Sequence, residues 1–240
     1  MKCRMCAGTD LYQFLDLGVT PLADDFRIAG SAGTPVARYP LAVNMCETCG
    51  LAQLGVVVAP EALYQHDYPY ESSTTAAGRA HWARFAASVT TKLALPERSL
   101  VVDVGSNVGV LLSAFRDRGM RIQGVDPAPN IVDLAVASGI PTECAFFDAG
   151  AARQIVARLG HASVITATNV FAHVDDLSGF MGAVDSLLDE TGLLIVESPY
   201  FANLIAYNEY DTIYHEHLSY ISIRPLDRFV RGFGMEICDV

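Results

Sequence analysis

From residue 99 to residue 198 the chain alternates apolar runs with amphipathic stretches, and this alternation limits the fold more than any other feature. The apolar runs are "SLVVDVG" (99–105), "RIQGVD" (121–126), "TECAFF" (142–147), "SVITATN" (163–169) and "GLLIVES" (192–198). Between them lie "GVLLSAFRDRG", "NIVDLAVASG", "AARQIVARLG" and "DLSGFMGAVDSLLDE", each with helical spacing. Strands alternating with helices of these lengths predict an α/β fold with a parallel sheet. Ahead of them, "STTAAGRAHWARFAASVTTKLAL" places Trp82, Phe85, Val89 and Leu93 on one helical face, and Pro96 closes that helix. The 240 residues, 51% of them hydrophobic, suffice for one good-sized core and a small satellite.

The first seventy or so residues read differently. Pro, Gly and Asp punctuate them, periodicity is weak, and small loops with short strands are expected. They hold four of the six cysteines, as "CRMC" and "CETCG". Two thiolates at Cys-x-x-Cys spacing can share one ion in a tight turn, and a second pair completes a closed tetrahedral site. Cys3, Cys6, Cys46 and Cys49 are therefore the expected ligands of a structural zinc, with Gly50 easing the second turn. A redox pair of the thioredoxin kind would need a βαβ context, which this segment lacks. The expected organisation is a small zinc-binding domain over residues 1–75 and a second domain over 76–240. Cys144 and Cys238 fall in expected strands and are expected as core residues.

"VVDVGSNVGVLLSAF" has the order strand, glycine turn, helix. Gly105 suits a tight turn, Gly109 permits close approach, and the amides of the helix start face a ligand. Asp126 ends the next strand, where a carboxylate can accept from both ribose hydroxyls of an adenosine. The pyrophosphate fingerprint G-x-G-x-x-G is absent, which favours a cofactor without a pyrophosphate, such as S-adenosylmethionine. The competing reading is a plain strand-to-helix turn with no ligand.

"IYHEHLSYIS" (213–222) crowds two histidines, a glutamate and two tyrosines together. It is not H-E-x-x-H, so it does not set two imidazoles one helical turn apart for a metal. As a strand it would place His215 and His217 on one face and Tyr214 and Glu216 on the other. A polar loop and an acid/base cluster both fit that spacing.

Bulk properties exclude some classes. The net charge of −11 argues against general nucleic-acid affinity, and no Lys/Arg run marks an anionic membrane surface. No apolar stretch is long enough to span a bilayer, and "MKCRMCAGTD" has no signal-peptide apolar region, so a cytoplasmic setting is expected.

Taken together, the two cysteine knuckles, "FLDLGVTPLADDF", "YPYESST", "DVGSNVGVLL", "GVDPAPN", "TNVFAHVDDL", "ESPYFANLI" and "YHEHLSYIS" resemble the zinc-containing sugar C-methyltransferases. That family methylates nucleotide-linked 4-keto-deoxysugars in antibiotic biosynthesis. The resemblance covers nearly the whole chain. It implies a Rossmann-like class I methyltransferase sheet preceded by a small zinc-binding domain. It also implies structural zinc on Cys3, Cys6, Cys46 and Cys49. Asp103, Gly105, Ser106, Asn107, Gly109, Asp126 and Asn169 would line the S-adenosylmethionine site. Tyr68, His173, Tyr214, Glu216 and His217 would surround the sugar. His217 becomes the candidate base, since histidine can be neutral near neutral pH. Glu216 would orient it, and Tyr214 or Tyr68 would donate to the enolate or hold the sugar.

Two residues depart from the family pattern: Val108, where an acid is usual, and Glu71, where an aromatic or neutral residue is expected. Family members also carry a further C-terminal domain, so a truncated chain ending mid-strand at "GMEICDV" is expected. The expected partner is a nucleotide-sugar, with no nucleic acid and no membrane, and a monomer. Two alternatives stay open: a nucleotide-dependent oxidoreductase, and a non-catalytic zinc and cofactor-binding module.

Overall fold

The structure is a computed structural model that describes residues 1–26, 30, 33, 35–65, 68–72 and 75–240. In chain order its elements are β1 (Leu11–Pro21), β2 (Arg38–Cys46), β3 (Ala52–Leu54), α1 (Pro60–Tyr64), α2 (Ala76–Lys92), β4 (Leu100–Val104) and α3 (Val110–Arg116). There follow β5 (Arg121–Asp126), α4 (Pro129–Ala137), β6 (Thr142–Cys144), α5 (Ala149–Leu159), β7 (Ala162–Thr168), α6 (Leu177–Leu187) and β8 (Leu188–Glu197). The chain continues with α7 (Phe201–Tyr207), β9 (Ser219–Tyr220) and α8 (Ile223–Arg231). It forms two compact units. One comprises Met1–Leu63, Phe171–Met181 and Ser198–Val240, the other Tyr64–Val170 and Gly182–Glu197.

The second unit is the expected α/β core. Its five strands are all parallel in the order β6-β5-β4-β7-β8. β4 reads Leu-Val-Val-Asp-Val with every residue buried, as a central strand covered on both faces must. The chain winds from β4 outward through β5 and β6, then crosses back to β7 and β8. The strand order thus reverses between β4 and β7, and ligands in such sheets bind at the carboxyl ends flanking that point. The face of α2 carrying Trp82, Phe85, Val89 and Leu93 packs on Leu111, Leu112 and Phe115 of α3, as its spacing predicts. Ser73 and Thr74 of the expected helix lie outside the described residues. The helix stops one turn before Pro96, with Leu93 N–H on Val89 O and Ala94 left-handed (φ 45°).

The first unit holds a four-stranded antiparallel sheet in the order β1-β2-β3-β9. Its β1 and β2 span 11 and 9 residues, longer than the short strands expected. Two register shifts in β1, between Gln13 and Leu15 and between Asp16 and Val19, break the period-2 pattern that would have announced it. Gly18 (φ 77°) sits in the second, its N–H on Asp16 Oδ1 at 2.8 Å. β1 is also an edge strand with Tyr12, Phe14 and Val19 exposed, so no alternation of burial reinforces the signal. Leu41, Val43, Ala52, Leu54, Leu204, Leu218 and Tyr220 form the core of this unit.

Three further expectations are corrected. "GMEICDV" forms no strand: residues 235–240 carry no regular structure. Cys238 is accordingly exposed. Cys144 lies in β6 but is exposed, because β6 is the outermost strand of the parallel sheet. Of the arrangements open for "YHEHL", the structure has a loop: Tyr214–Glu216 make a tight turn and β9 begins only at Ser219.

Candidate functional site

In the second unit the carboxyl ends of β4, β5 and β7 gather most of the expected cofactor residues. Gly105 (φ 65°) turns the chain out of β4, and any Cβ there would lie 2.3 Å from Val170 Cγ2. Gly109 (φ 79°) is the left-handed residue that starts α3, where a Cβ would meet Ile140 Cγ2 at 2.6 Å. Both glycines thus serve contacts inside the protein; only glycine tolerates φ and crowding of this kind.

Asp126, 6% exposed at the end of β5, accepts Asn107 N–H on Oδ2 and Ala128 N–H on Oδ1, each at 2.9 Å. Each oxygen keeps a second lone pair, so two adjacent hydroxyls can still be bound. Burial pushes this carboxyl above the ordinary carboxylate range, against the pull of those two amides. Asp103 is buried one strand away and accepts the Thr166 hydroxyl at 2.6 Å. Burial, opposed by that hydroxyl and helped by the Asp126 charge, raises it to about 7.

The Ser106 hydroxyl is buried without a hydrogen-bond partner. Asn169 (φ 57°) caps the end of β7, exposed, with its N–H on Glu197 O at 2.7 Å. Residues 103–110 carry two acidic and no basic side chains once Asp126 is counted with them. This set suits the ribose and cationic sulfonium of S-adenosylmethionine and would repel a pyrophosphate.

Asn107 (φ 50°) does more than line the loop. Its Oδ1 accepts Ser72 N–H at 2.8 Å and its Nδ2 donates to Tyr70 O at 2.9 Å. Asn130, at the start of α4, donates to Tyr68 O at 3.0 Å. The two asparagines fasten residues 68–72 to the cofactor loop. Tyr68 therefore belongs to this unit, its ring edge-on to Tyr64 at 5.5 Å.

In the first unit the turn at 214–217 brings Tyr214 and His217 to one side, with His217 N–H on Tyr214 O at 3.1 Å. His217 Nδ1 lies 2.7 Å from Thr212 O, and Nε2 lies 2.9 Å from the Tyr214 hydroxyl. A carbonyl oxygen only accepts, so Nδ1 carries the proton and Nε2 the lone pair. The Tyr214 hydroxyl then donates to Nε2. Burial lowers the His217 pKa, against the raising effect of the Thr212 carbonyl, so the ring is neutral near pH 7.

His173 follows β7 in a 3-10 turn, its ring 4.9 Å from that of His217. Burial, then the neighbouring His217 charge, pushes it down to about 3. Glu216 is buried in the same turn, but the two ring nitrogens of His217 contact Thr212 and Tyr214. His215 faces elsewhere: it is 1% exposed, edge-on to Tyr39 at 5.8 Å.

The four cysteines also converge in the first unit. Cys3–Cys49 and Cys6–Cys46 sulfurs lie 3.4 and 3.6 Å apart, and all four fall within 4.8 Å of one another. A tetrahedral zinc with bonds of about 2.3 Å sets sulfurs about 3.8 Å apart, so the donors fit. Ala7 N–H on Cys3 O and Gly50 N–H on Cys46 O, at 2.9 and 2.8 Å, close the two knuckles. Burial raises the Cys3 and Cys49 thiols, whereas at Cys46 the Cys49 N–H and the neighbouring thiols outweigh burial and bring it down to about 7, so the first thiolate a metal meets is Cys46.

Sequence reasoning missed Thr166, Thr212, Asn130 and Arg4. Thr166, Asn130 and Arg4 act through hydrogen bonds set by tertiary pairing, and Thr212 through its backbone carbonyl, which carries no side-chain signal. Thr166, for instance, pairs with Asp103 across β4 and β7.

Comparison with known proteins agrees with the fold and with the cysteine cluster. Residues 3–64 match a family described as "Putative zinc binding domain", and residues 79–240 match one described as "Methyltransferase domain". The chain is 34% identical to C-methyltransferase NovU of Streptomyces niveus over 239 residues, which is 100% of this chain and 57% of NovU. It thus spans little more than half the length of that relative. Magnesium protoporphyrin IX methyltransferase ChlM of Synechocystis PCC 6803, solved with SAH bound, shares 16% identity at a TM-score of 0.50, over 71% of this chain and 81% of ChlM. The plantazolicin methyltransferase BpumL, also with SAH, shares 10% at 0.51, over 63% of this chain and 61% of BpumL. At such identities these two likenesses speak for the fold. The chain belongs to the methyltransferase-domain family, and within it to those members that carry an amino-terminal zinc-binding domain.

Proposed function

We propose that the protein is an S-adenosylmethionine-dependent C-methyltransferase that methylates a carbon beside the ketone of a nucleotide-linked 4-keto-deoxysugar. The observation that carries this reading is the His217 ring. Its Nδ1–H is held by the Thr212 carbonyl, and its Nε2 lone pair faces a hydroxyl. Its surroundings keep it neutral. That is what a base for an acidic C–H requires.

Carbon next to a ketone becomes nucleophilic only as the enolate. S-adenosylmethionine, when bound, supplies an electrophilic methyl on a sulfonium. Because the Tyr214 hydroxyl occupies Nε2, the proton reaches that atom through it. The tyrosine oxygen takes the carbon-bound proton as its own hydrogen passes to Nε2, and the C–H electrons move into the enolate. The imidazolium so formed is stabilised by the Thr212 carbonyl on its other nitrogen. Tyr68, His173 and Glu216 are assigned to the sugar. Asp103, Gly105, Ser106, Asn107, Gly109, Asp126 and Asn169 are assigned to the cofactor.

Zinc on the four cysteines is structural, since four thiolates leave no open position for substrate. Residues 1–75 are assigned to zinc binding, apart from Tyr68, and residues 76–240 to methyl transfer; a reducing, cytoplasmic setting would preserve the thiolates. Among the described residues no helix is long and apolar enough to cross a membrane.

The test is mass spectrometry of the protein incubated with S-adenosylmethionine and a set of 4-keto nucleotide-sugars. One sugar should gain a single methyl group on carbon. Binding of NADH in preference to S-adenosylmethionine, with no sugar methylated, would favour an oxidoreductase instead.

A further inference from the structure

One of the two residues between the first zinc-knuckle cysteines has an unusual set of contacts. Arg4 has a buried side chain, 6% exposed. Its Nε donates to Asp175 Oδ1 at 2.8 Å, and its Nη1 donates to both Leu54 O and Leu218 O at 3.1 Å. Its own N–H is held by Gln53 Oε1 at 2.9 Å, and Gln53 Nε2 returns to Lys2 O at 3.0 Å. One guanidinium therefore joins three segments of the first unit: β3, the residue after His217, and the residue two beyond His173. Leu218 O accepts Leu54 N–H as well, at 2.9 Å, so Arg4 reinforces the start of the β3–β9 pairing. A buried arginine without partners would be costly. Only a planar fork with fixed, divergent N–H groups can satisfy all three acceptors at once, so lysine is no substitute.

We infer that Arg4 is a positioning residue through which the zinc knuckle sets the geometry of the His173–His217 pair. Metal on Cys3 and Cys6 fixes the turn that contains Arg4. Arg4 in turn fixes Leu218 and Asp175, and these lie one and two residues from the two histidines. The knuckle thereby holds His217 where Thr212 O keeps the proton on Nδ1. The catalytic meaning of this rests on the function proposed above, whereas the placement of the histidines does not.

The test therefore reads ring geometry and needs no turnover. Nitrogen-15 NMR of the zinc-loaded protein should show His217 as a single tautomer, protonated at Nδ1. Arg4→Met at full zinc occupancy should lose that signature. The ring N–H should then exchange with water about tenfold faster, as expected when an anchoring hydrogen bond weakens. Stripping zinc from the wild type with a chelator should give the same change. Asp175→Asn, outside the knuckle, should shift the His173 resonances while zinc stays bound, and it carries the test if Arg4→Met fails to fold. A His217 tautomer and exchange rate identical to wild type in zinc-loaded Arg4→Met would overturn the proposal. So would unchanged His173 resonances in Asp175→Asn.

Discussion

His173 and Asp103 make opposite demands on pH, and each can be read from its surroundings. Burial and the His217 charge lower His173 to about 3, so the folded protein binds its proton less readily than the unfolded chain, where histidine titrates near 6.5. The stability it contributes is present above about pH 6.5 and is lost as pH falls towards 3. Burial raises Asp103 to about 7 from the ordinary 3.8, so its contribution is present below 3.8 and is lost as pH rises through 7. His173→Gln should flatten the acid limb of a stability-against-pH curve, and Asp103→Asn the neutral limb. Calorimetric melting between pH 4 and 8, a range spanning both limbs roughly, checks both; identical curves for wild type and variants would contradict the assignments. Neither shift was legible in the sequence. Asp103 was visible as an acid within the expected strand "SLVVDVG", but its burial depends on β4 being central. His173 was visible only through the motif around it, and the ring beside it comes from a turn more than forty residues later.

At the scale of elements, residues 68–72 are tied down by hydrogen bonds more than by packing. Pro69, Tyr70 and Glu71 are exposed, and the fastening falls to Asn107 and Asn130. Asn130→Ala leaves the Asp126 carboxylate and its amides in place, yet it should speed amide exchange at 68–72 by about fivefold to tenfold, the equivalent of one hydrogen bond. Hydrogen-exchange mass spectrometry reads this directly, and an unchanged rate would mean that the segment is held otherwise. The cysteine knuckles call for a second prediction. Cys46→Ser should lower zinc content below one per chain and destabilise the first unit by several kcal/mol, because metal affinity contributes to folding where the metal completes the site. Elemental analysis after a chelator wash decides it, and a fully folded, metal-free wild type would contradict the zinc reading. The central strands β4 and β7 were legible because buried strands read as near-continuous apolar runs. β1 was not, since Gly18 and two register shifts erase its alternation.

For the molecule as a whole, the sequence order of motifs announced the chemistry better than the composition of the units. The knuckles, the glycine loop and "YHEHLSY" stand in separate stretches, yet the first unit gathers residues 1–63, 171–181 and 198–240 around one antiparallel sheet. No local pattern predicts that β9, two residues long, pairs with β3 and so draws the histidine turn beside the cysteine segment. The proposed catalysis nonetheless turns on one reaction step, proton removal before methyl transfer, and that step can be isolated. With S-adenosylhomocysteine bound in heavy water, no methyl can move, and under the proposed function the protein should exchange deuterium into the carbon beside the ketone of a 4-keto nucleotide-sugar. His217→Asn should slow this exchange by about a hundredfold to ten-thousandfold, the usual loss on removing a general base. Tyr214→Phe should slow it as well, since the proton passes through that hydroxyl. Deuterium exchange at the wild-type rate in His217→Asn, with sugar and cofactor still bound, would place the base elsewhere and contradict the account.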